Sequence, residues 1–337
     1  MDITKLEAWY IRSHRKLIFR ETKNPYHIWV SEVMLQQTQV ETVLPYFESF
    51  IKLFPNPQCL AEAEDEKLMK AVEGLGYYRR FRLMKKAARY IVDHFNGEFP
   101  NTYEDVLSLP GVGLYTAGAI MSIAYHEPRS ALDGNVIRVL SRYLGVDHNM
   151  REEKHKRKLD QINQTYIEKA TPAIYTQAMM ELGATICRPK NPQCGMCPLQ
   201  EHCVAYAENR QHELPVLSKL KEPIHKNWIT LIIQDEAYIY LRKREEELLK
   251  GMYEYPQFEE ESVHSVINNL QQQGIILDLV NQEKTVKHVF SHQVWHMDVY
   301  VVRRISGMSP EWIRIEHQAL KKIPMATAHR KIGPLNN

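Results

Sequence analysis

From Ser31 to Phe54 the apolar residues Val33, Val40, Val43, Leu44, Phe47, Ile51 and Phe54 return at the spacing of one helix face. That predicts a long amphipathic helix capped by Ser31, with Pro45 as the point of a kink or division. The helical period returns in "EDEKLMKAVEGL", "RRFRLMKKAARYIVDHF", "YTAGAIMSIAY", "NVIRVLSRYLG" and "AIYTQAMMELGATIC", separated by Gly and Pro. Residues 1–207 therefore read as an all-α domain. Residues 208–227 are polar and proline-punctuated without strong period, as an interdomain linker would be. From residue 228 the pattern changes to runs of β-branched and aromatic residues. "NWITLIIQDEAYIYLRKR" reads as a hairpin turning at Asp235-Glu236, "VWHMDVYVVRR" as another strand and "SVINNLQQQG" as a helix, which predicts a smaller α+β domain over 228–337.

A chain of 337 residues has length for two such cores, and 44% hydrophobic with 25% charged residues excludes a disordered chain. No apolar run approaches the roughly 20 residues of a spanning helix. The start, "MDITKLEAWYIRSHRKL", puts charges where a signal peptide needs an apolar centre, so a cytosolic, reducing compartment is expected. Net charge is +2, so any attraction to nucleic acid must be local. Arg79, Arg80, Arg82, Lys85, Lys86 and Arg89 supply one such basic helix, readable as a phosphate-binding surface or as a solvated face.

Four of the five cysteines fall within "CRPKNPQCGMCPLQEHC", as Cys187, Cys194, Cys197 and Cys203 in the spacing C-x6-C-x2-C-x5-C. In a reducing cell this points to a metal centre and not to disulfides. A zinc knot takes two short Cys pairs; the single short pair and longer loops here favour a wider [4Fe-4S] cluster. Cys59 lies far off and reads as a small buried apolar residue. "LSLPGVGLYTAGAI" joins two helices through Gly111 and Gly113, a candidate helix-hairpin-helix whose backbone N–H groups can meet a phosphate, or a plain connection. In "ALDGNVIRVLSR", Asp133 precedes a helix, as an N-cap does and as a reactive acid can. Glu32 reads equally as a first-turn carboxylate favoured by the helix dipole.

The order of these features resembles the helix-hairpin-helix DNA glycosylases with an iron–sulfur cluster, the superfamily of endonuclease III. Within it, "NPYHIWVSEVMLQQTQVETVLPYF", "GLGYYRR", "LPGVGLYTAGAI", "LDGNVIRVLSR" and the cysteine loop resemble the adenine DNA glycosylases, the MutY family, over most of residues 20–203. The resemblance implies an all-α helix-hairpin-helix glycosylase domain with a [4Fe-4S] cluster loop at 187–203, then a smaller Nudix-like α+β domain. It implies that Glu32 protonates adenine and assists the attacking water, and that Asp133 stabilises the oxocarbenium ion. Asn135 would orient Asp133, and Tyr115 would hydrogen-bond near Glu32. Arg20 and Gln177 would line the adenine pocket, while Gln37, Thr38, Leu75, Tyr77, Gly111 and Gly113 would meet DNA. Tyr115 stands where bifunctional relatives carry a Schiff-base lysine, which implies a monofunctional enzyme leaving an abasic site.

"LLKGMYEYPQFE" resembles part of a Nudix domain, yet no glutamate-rich metal box follows, so pyrophosphate hydrolysis is not expected. "HVFSHQVW" matches the family's Phe-Ser-His loop, which implies 8-oxoguanine recognition by Phe290, Ser291 and His292. The implied partner is double-stranded DNA with adenine opposite 8-oxoguanine or guanine, bound by a cytoplasmic, nucleoid-associated monomer. Two positions depart from the family: Phe19 in "LIFR" replaces a usual Trp, and Tyr253 stands where Trp is frequent. A non-catalytic iron–sulfur or zinc DNA-binding module and a Nudix-type hydrolase with a helical accessory domain are the alternatives.

Overall fold

The computed structural model describes residues 1–333. The chain forms two compact units: residues 1–62 with 83–219, and residues 63–82 with the chain from Leu220 onward. The helices begin with α1 (Ile3–Ser13), α2 (Pro25–Leu35), α3 (Val40–Leu53), α4 (Pro57–Glu62), α5 (Asp65–Ala71) and α6 (Arg79–Phe95). They continue with α7 (Tyr103–Ser108), α8 (Leu114–Ala124), α9 (Gly134–Leu144), α10 (Glu153–Ile167), α11 (Pro172–Thr185) and α12 (Val204–Ala207). α5 belongs to the second unit and α6 runs from the second into the first.

The helix expected over 31–54 is two helices, and the break is not at Pro45. α2 begins well before Ser31, because Asn24 is the cap: its Oδ1 accepts from Tyr26 N at 2.9 Å, and Pro25 opens the first turn. Ser31 is buried within α2 and donates its hydroxyl to the Ile28 carbonyl. The chain breaks at 36–39, where Gln37 takes a left-handed φ of 58°. Pro45 rides inside α3. The unpredicted α10 escapes notice because it is polar nearly all round, burying only Leu159, Asn163 and Ile167 in a stripe spaced by four.

α2, α8 and α11 are buried on most of their circumference, as helices in the middle of a bundle must be. α11 packs against α1, α8 and α9, and α2 packs against α8. Two glycines set how closely these elements approach. A Cβ on Gly118 of α8 would sit 1.9 Å from the Ser130 carbonyl oxygen, and one on Gly183 of α11 would sit 2.5 Å from the Asn135 Cβ. Both contacts fall on the segment that carries Asp133.

In the second unit the strands are β1 (Ile224–Gln234), β2 (Tyr238–Lys243), β3 (Tyr253–Glu254), β4 (Gln257–Phe258), β5 (Ile276–Val289), β6 (Gln293–Ser306) and β7 (Trp312–Glu316). The helices here are α13 (Val263–Gln272) and α14 (Thr327–Arg330). The sheet runs β3-β2-β1-β6-β5, with β4 on β1 and β7 on β2; β1 and β6 are parallel. The turn at Asp235, the β6 strand and α13 fall where the sequence predicts them, while β1 begins at Ile224, inside the stretch read as linker. The sequence pattern does not announce β5: most of it is exposed and polar, and only Leu277 and Val286 are buried.

One sheet face packs Ile232, Leu241, Trp295, Met297 and Val299 into a core, and the other packs Leu231, Ile233, Tyr240 and Val302 with α13. α5 is tied to this sheet: Glu66 Oε1 accepts from Lys243 Nζ at 2.6 Å and from the Tyr253 hydroxyl at 2.8 Å, and Arg330 pairs with Glu73. The Tyr253 departure thus supplies a hydroxyl that an indole lacks. Among the described residues no helix is long and apolar enough to cross a membrane.

Since the Ser130 carbonyl is backbone and has nowhere to yield, Gly118→Ala is expected to cost about 1–3 kcal/mol of stability, as overpacking does. Urea unfolding of the variant beside the parent measures it, and an unchanged midpoint would mean that the two segments do not meet so closely.

Candidate active site

α2, α8 and the start of α9 bring three predicted residues to one cavity of about 1040 Å³, lined among others by Glu32, Tyr115 and Asp133. Glu32 lies in the middle of α2, buried, so the first-turn reading of it does not hold. The Tyr115 hydroxyl donates to Glu32 Oε2. Burial raises the Glu32 pKa to about 7, against the lowering effect of the Tyr115 hydrogen bond; the charge of Asp133 adds to the rise and that of Arg20 opposes it.

Asp133 is at once N-cap and site residue. Its Oδ1 accepts from Val136 N at 2.7 Å, closing the first turn of α9, and its Oδ2 accepts from Asn135 Nδ2 at 2.8 Å. Burial raises its pKa too, but those hydrogen bonds and the nearby Arg138 charge pull the other way. Two carboxyls share one cavity in unlike surroundings. Asp133 has donors and a helix N-terminus to stabilise its anion; Glu32 has a phenol and little water.

The same cavity is lined by Arg20 and Gln177. The Tyr10 hydroxyl donates to Gln177 Oε1 at 3.0 Å. Arg20 donates to Glu181 Oε2 at 2.8 Å, and Arg15 bonds the same carboxylate through Nε and Nη2, both at 2.9 Å. Sequence reasoning singles out neither Arg15 nor Glu181; a Glu beside Met180 in an otherwise apolar helix is the signal that was available. Phe19 fills its position by edge-to-face packing on Phe47 at 5.9 Å.

Arg138 and Arg142, also unforeseen, join this site to the cysteine loop. Arg138 donates to Asn135 Oδ1 at 2.8 Å, the Gly183 carbonyl at 2.9 Å and the Cys187 carbonyl at 2.8 Å. Arg142 donates to the carbonyls of Leu214, Arg188 and Pro189 and reaches Cys187 Sγ at 3.4 Å. All four loop cysteines, none in a disulfide, line one cavity walled by Leu182, Ile186 and Leu199. Among the described residues no group of three or more His, Cys, Asp or Glu is gathered for a single ion. Four thiols lining one apolar-walled cavity are the ligands a cubane takes. Burial pushes the Cys197 thiol up to about 12, so thiolates there call for the positive charge of iron. The donor set fits a [4Fe-4S] cluster. Cys59 is half-buried and lies outside this group.

Gly111, at φ 82°, lets the α7–α8 turn pack on Leu83, whose Cβ would be 2.7 Å from an added methyl; Gly113 opens α8 and Leu114 beside it is 59% exposed. Gln37 and Thr38 form the turn after α2, at the edge of the cavity. In the second unit Tyr77 is 48% exposed at φ 47°, whereas Leu75 is only 5% exposed. Arg80 explains this: it is itself buried and donates to the Leu75 carbonyl at 3.1 Å, so it holds that loop from within. The basic helix is otherwise largely engaged, Arg79 and Arg82 with Glu247 and Arg89 with the Ala61 carbonyl. Lys85 is buried and Lys86 exposed.

Phe290, Ser291 and His292 are the β5–β6 turn, closed by Phe290 N to the Gln293 carbonyl at 2.8 Å. Phe290 packs edge-on to Trp295 at 4.8 Å, which leaves Ser291 and His292 exposed at the tip.

Three family profiles match the chain: "HhH-GPD superfamily base excision DNA repair protein" over residues 30–164, "Iron-sulfur binding domain of endonuclease III" over 187–203 and "NUDIX domain" over 228–333. The adenine DNA glycosylase of Buchnera aphidicola subsp. Baizongia pistaciae is 35% identical over 315 residues, which cover 91% of this chain and 84% of that protein. The chain belongs to the adenine DNA glycosylase family. The mouse adenine DNA glycosylase is 40% identical over 223 residues, 64% of this chain and 43% of that protein. A thermostable thymine-DNA glycosylase shares the fold with a TM-score of 0.56 and 24% identity, covering 61% of this chain and 95% of that one. A non-covalent endonuclease III–DNA complex does so with a TM-score of 0.52 and 23% identity, covering 61% and 94%.

The glycosylase therefore carries a [4Fe-4S] cluster; the matching profile spans Cys187, Cys194, Cys197 and Cys203, the residues that would hold it and so crosslink the loop. Arg142 ties that loop to α9 by several carbonyl bonds, so Arg142→Ala is expected to shed iron on dilution or mild chelation faster than the parent. Iron and sulfide analysis over time measures it; equal retention would assign the loop's stability to the thiolates alone.

Proposed function

We propose that this glycosylase hydrolyses the N-glycosidic bond of adenine paired with 8-oxoguanine or guanine in duplex DNA and leaves an abasic site without a strand nick. The observation that carries the reading is the pair of unlike carboxyls, Glu32 with its pKa raised to about 7 and Asp133 held by Val136 N and Asn135. In this reading the flipped adenine enters the cavity lined by Arg20 and Gln177. Glu32 gives its proton to the base, at N7, and the C1′–N9 electron pair departs with the neutral purine. The ionised Asp133, fixed by Asn135, faces the positive deoxyribose. Water then adds at C1′, and the Glu32 carboxylate takes its proton.

Tyr115 has no amine with which to form a Schiff base, so no lyase step follows. Gly111 and Gly113 offer backbone N–H groups to a phosphate, and Gln37, Thr38 and Tyr77 meet the DNA around the vacated base. Ser291 and His292, exposed at the β5–β6 turn, read the 8-oxoguanine edge with Phe290 as their support, while the unit acts as a monomer.

A duplex with adenine opposite 8-oxoguanine, incubated with enzyme and then treated with alkali, tests this. The parent should break the adenine strand after alkali and not before, and Glu32→Gln should be slower by about 10²–10⁴-fold. Breaks before alkali would overturn the monofunctional assignment, and full activity of the Gln variant would overturn the acid. The single-turnover rate should also fall as pH rises through 7, because the reactive form is the protonated one. A rate that climbs through that range would make Glu32 a base from the outset.

A further inference from the structure

Glu181 is a charged group that the chemistry above does not use, yet its side chain is 1% exposed and saturated with donors. Its Oε1 accepts from Arg15 N at 3.1 Å and Arg15 Nε at 2.9 Å; its Oε2 accepts from Arg15 Nη2 at 2.9 Å and Arg20 Nη2 at 2.8 Å. Both arginines line the cavity that holds Glu32. A buried carboxylate gripped in this way fixes two long side chains in one geometry and cancels part of their charge.

We infer that Glu181 is a positioning residue for the glycosylase reaction: it anchors Arg20 against the adenine cavity, and its negative charge offsets that of the Arg20 guanidinium, so that the pair and not a bare cation lines the site. The inference rests on the reading of Glu32 as the general acid. Glu32 is faced by the Tyr115 phenol from α8, by Asp133 at the start of α9 and by the Arg20 guanidinium from the Ile18–Arg20 turn. Of these only Arg20 is a cation, and it favours ionised Glu32. Around Glu181 itself stand Arg15, Arg20 and the Tyr10 ring, and Arg15 also reaches the exposed Glu41 at 3.5 Å. With Glu181 charged, the Arg15–Arg20–Glu181 group bears one net positive charge. Without that charge it bears two, in a site where water does little to screen them.

The variants are Glu181→Gln, the double variant Glu181→Gln with Arg15→Gln, and Glu32→Gln, each as the full chain with its cluster. Single-turnover adenine release from the same duplex is followed across pH. For Glu181→Gln the limb that falls with rising pH should move toward acid. The rate should then be roughly tenfold below the parent above neutral pH and approach it in acid, as a tenfold weaker hold on the Glu32 proton gives. The double variant restores the charge balance and should carry the limb back toward the parent position. Equal slowing at every pH with the limb unmoved, or a limb that stays displaced in the double variant, would overturn the inference. If instead Glu32→Gln keeps its activity or the parent shows no such limb, the reading of Glu32 fails rather than the role of Glu181. Should Glu181→Gln not fold, a limb in the double variant lying well to the acid side of the parent would itself overturn the proposal.

Discussion

A carboxyl group in the interior must give up its charge or be compensated for it: burial raises the pKa of Glu32 to about 7, while at Asp133 hydrogen bonds from Val136 N and Asn135 oppose the same effect of burial. The free-energy cost of an uncompensated buried anion runs to several kcal/mol, large against the stability of a domain, so the surroundings of each group matter. Nothing in the side chains themselves distinguishes them. The separation comes from where the backbone ends: Asp133 stands at the N-terminus of α9, where unpaired N–H groups wait for an anion, and Glu32 stands mid-helix in α2, where every N–H is already used. Helix register thus gives the two carboxyls unlike surroundings.

Keeping that register requires close packing, and here the glycines matter more than the apolar residues. Gly118 and Gly183 let α8 and α11 approach the 130–135 segment to distances that any side chain would forbid. Asn135 consequently lies against Gly183, within reach of Arg138, and Arg138 goes on to the Cys187 carbonyl. The cysteine loop and the cap of α9 thus share one guanidinium. The loop meets the site through the Cys187 carbonyl that Arg138 holds.

Much of this is legible in the sequence. The cysteine spacing, the Gly-x-Gly turn and Asp133 before a helix each carry a local physical reason; the four cysteines line one cavity, the turn precedes α8 and Asp133 caps α9. The misplaced helix start shows the limit. Asn24-Pro25 is as good an N-terminal signal as Ser31, and the structure uses it, with Ser31 among the buried residues of α2. α10 and β5 escape for a related reason: both bury a narrow stripe, so their periodicity is weak and their neighbours define them. Glu181, Arg138 and Arg142 are nearly illegible, since most of their partners lie far away in the chain and a charge in a sequence looks much the same whether it ends in water or in a buried pair.

The division of the chain carries a functional consequence. Residues 63–82, which include Tyr77, cluster with the sheet and not with the helices that flank them in sequence. Ion pairs through Glu66, Glu73 and Arg82 make that attachment, and the Tyr253 hydroxyl, a departure from the family, reinforces it. Surface pairs of this kind are individually weak, but several on one segment add orientation even where they add little stability. The loop proposed to meet DNA near the vacated base and the turn proposed to read the opposite base therefore belong to the same compact unit, while Glu32 and Asp133 belong to the other. Each group of proposed contacts is thus held by the packing of its own unit.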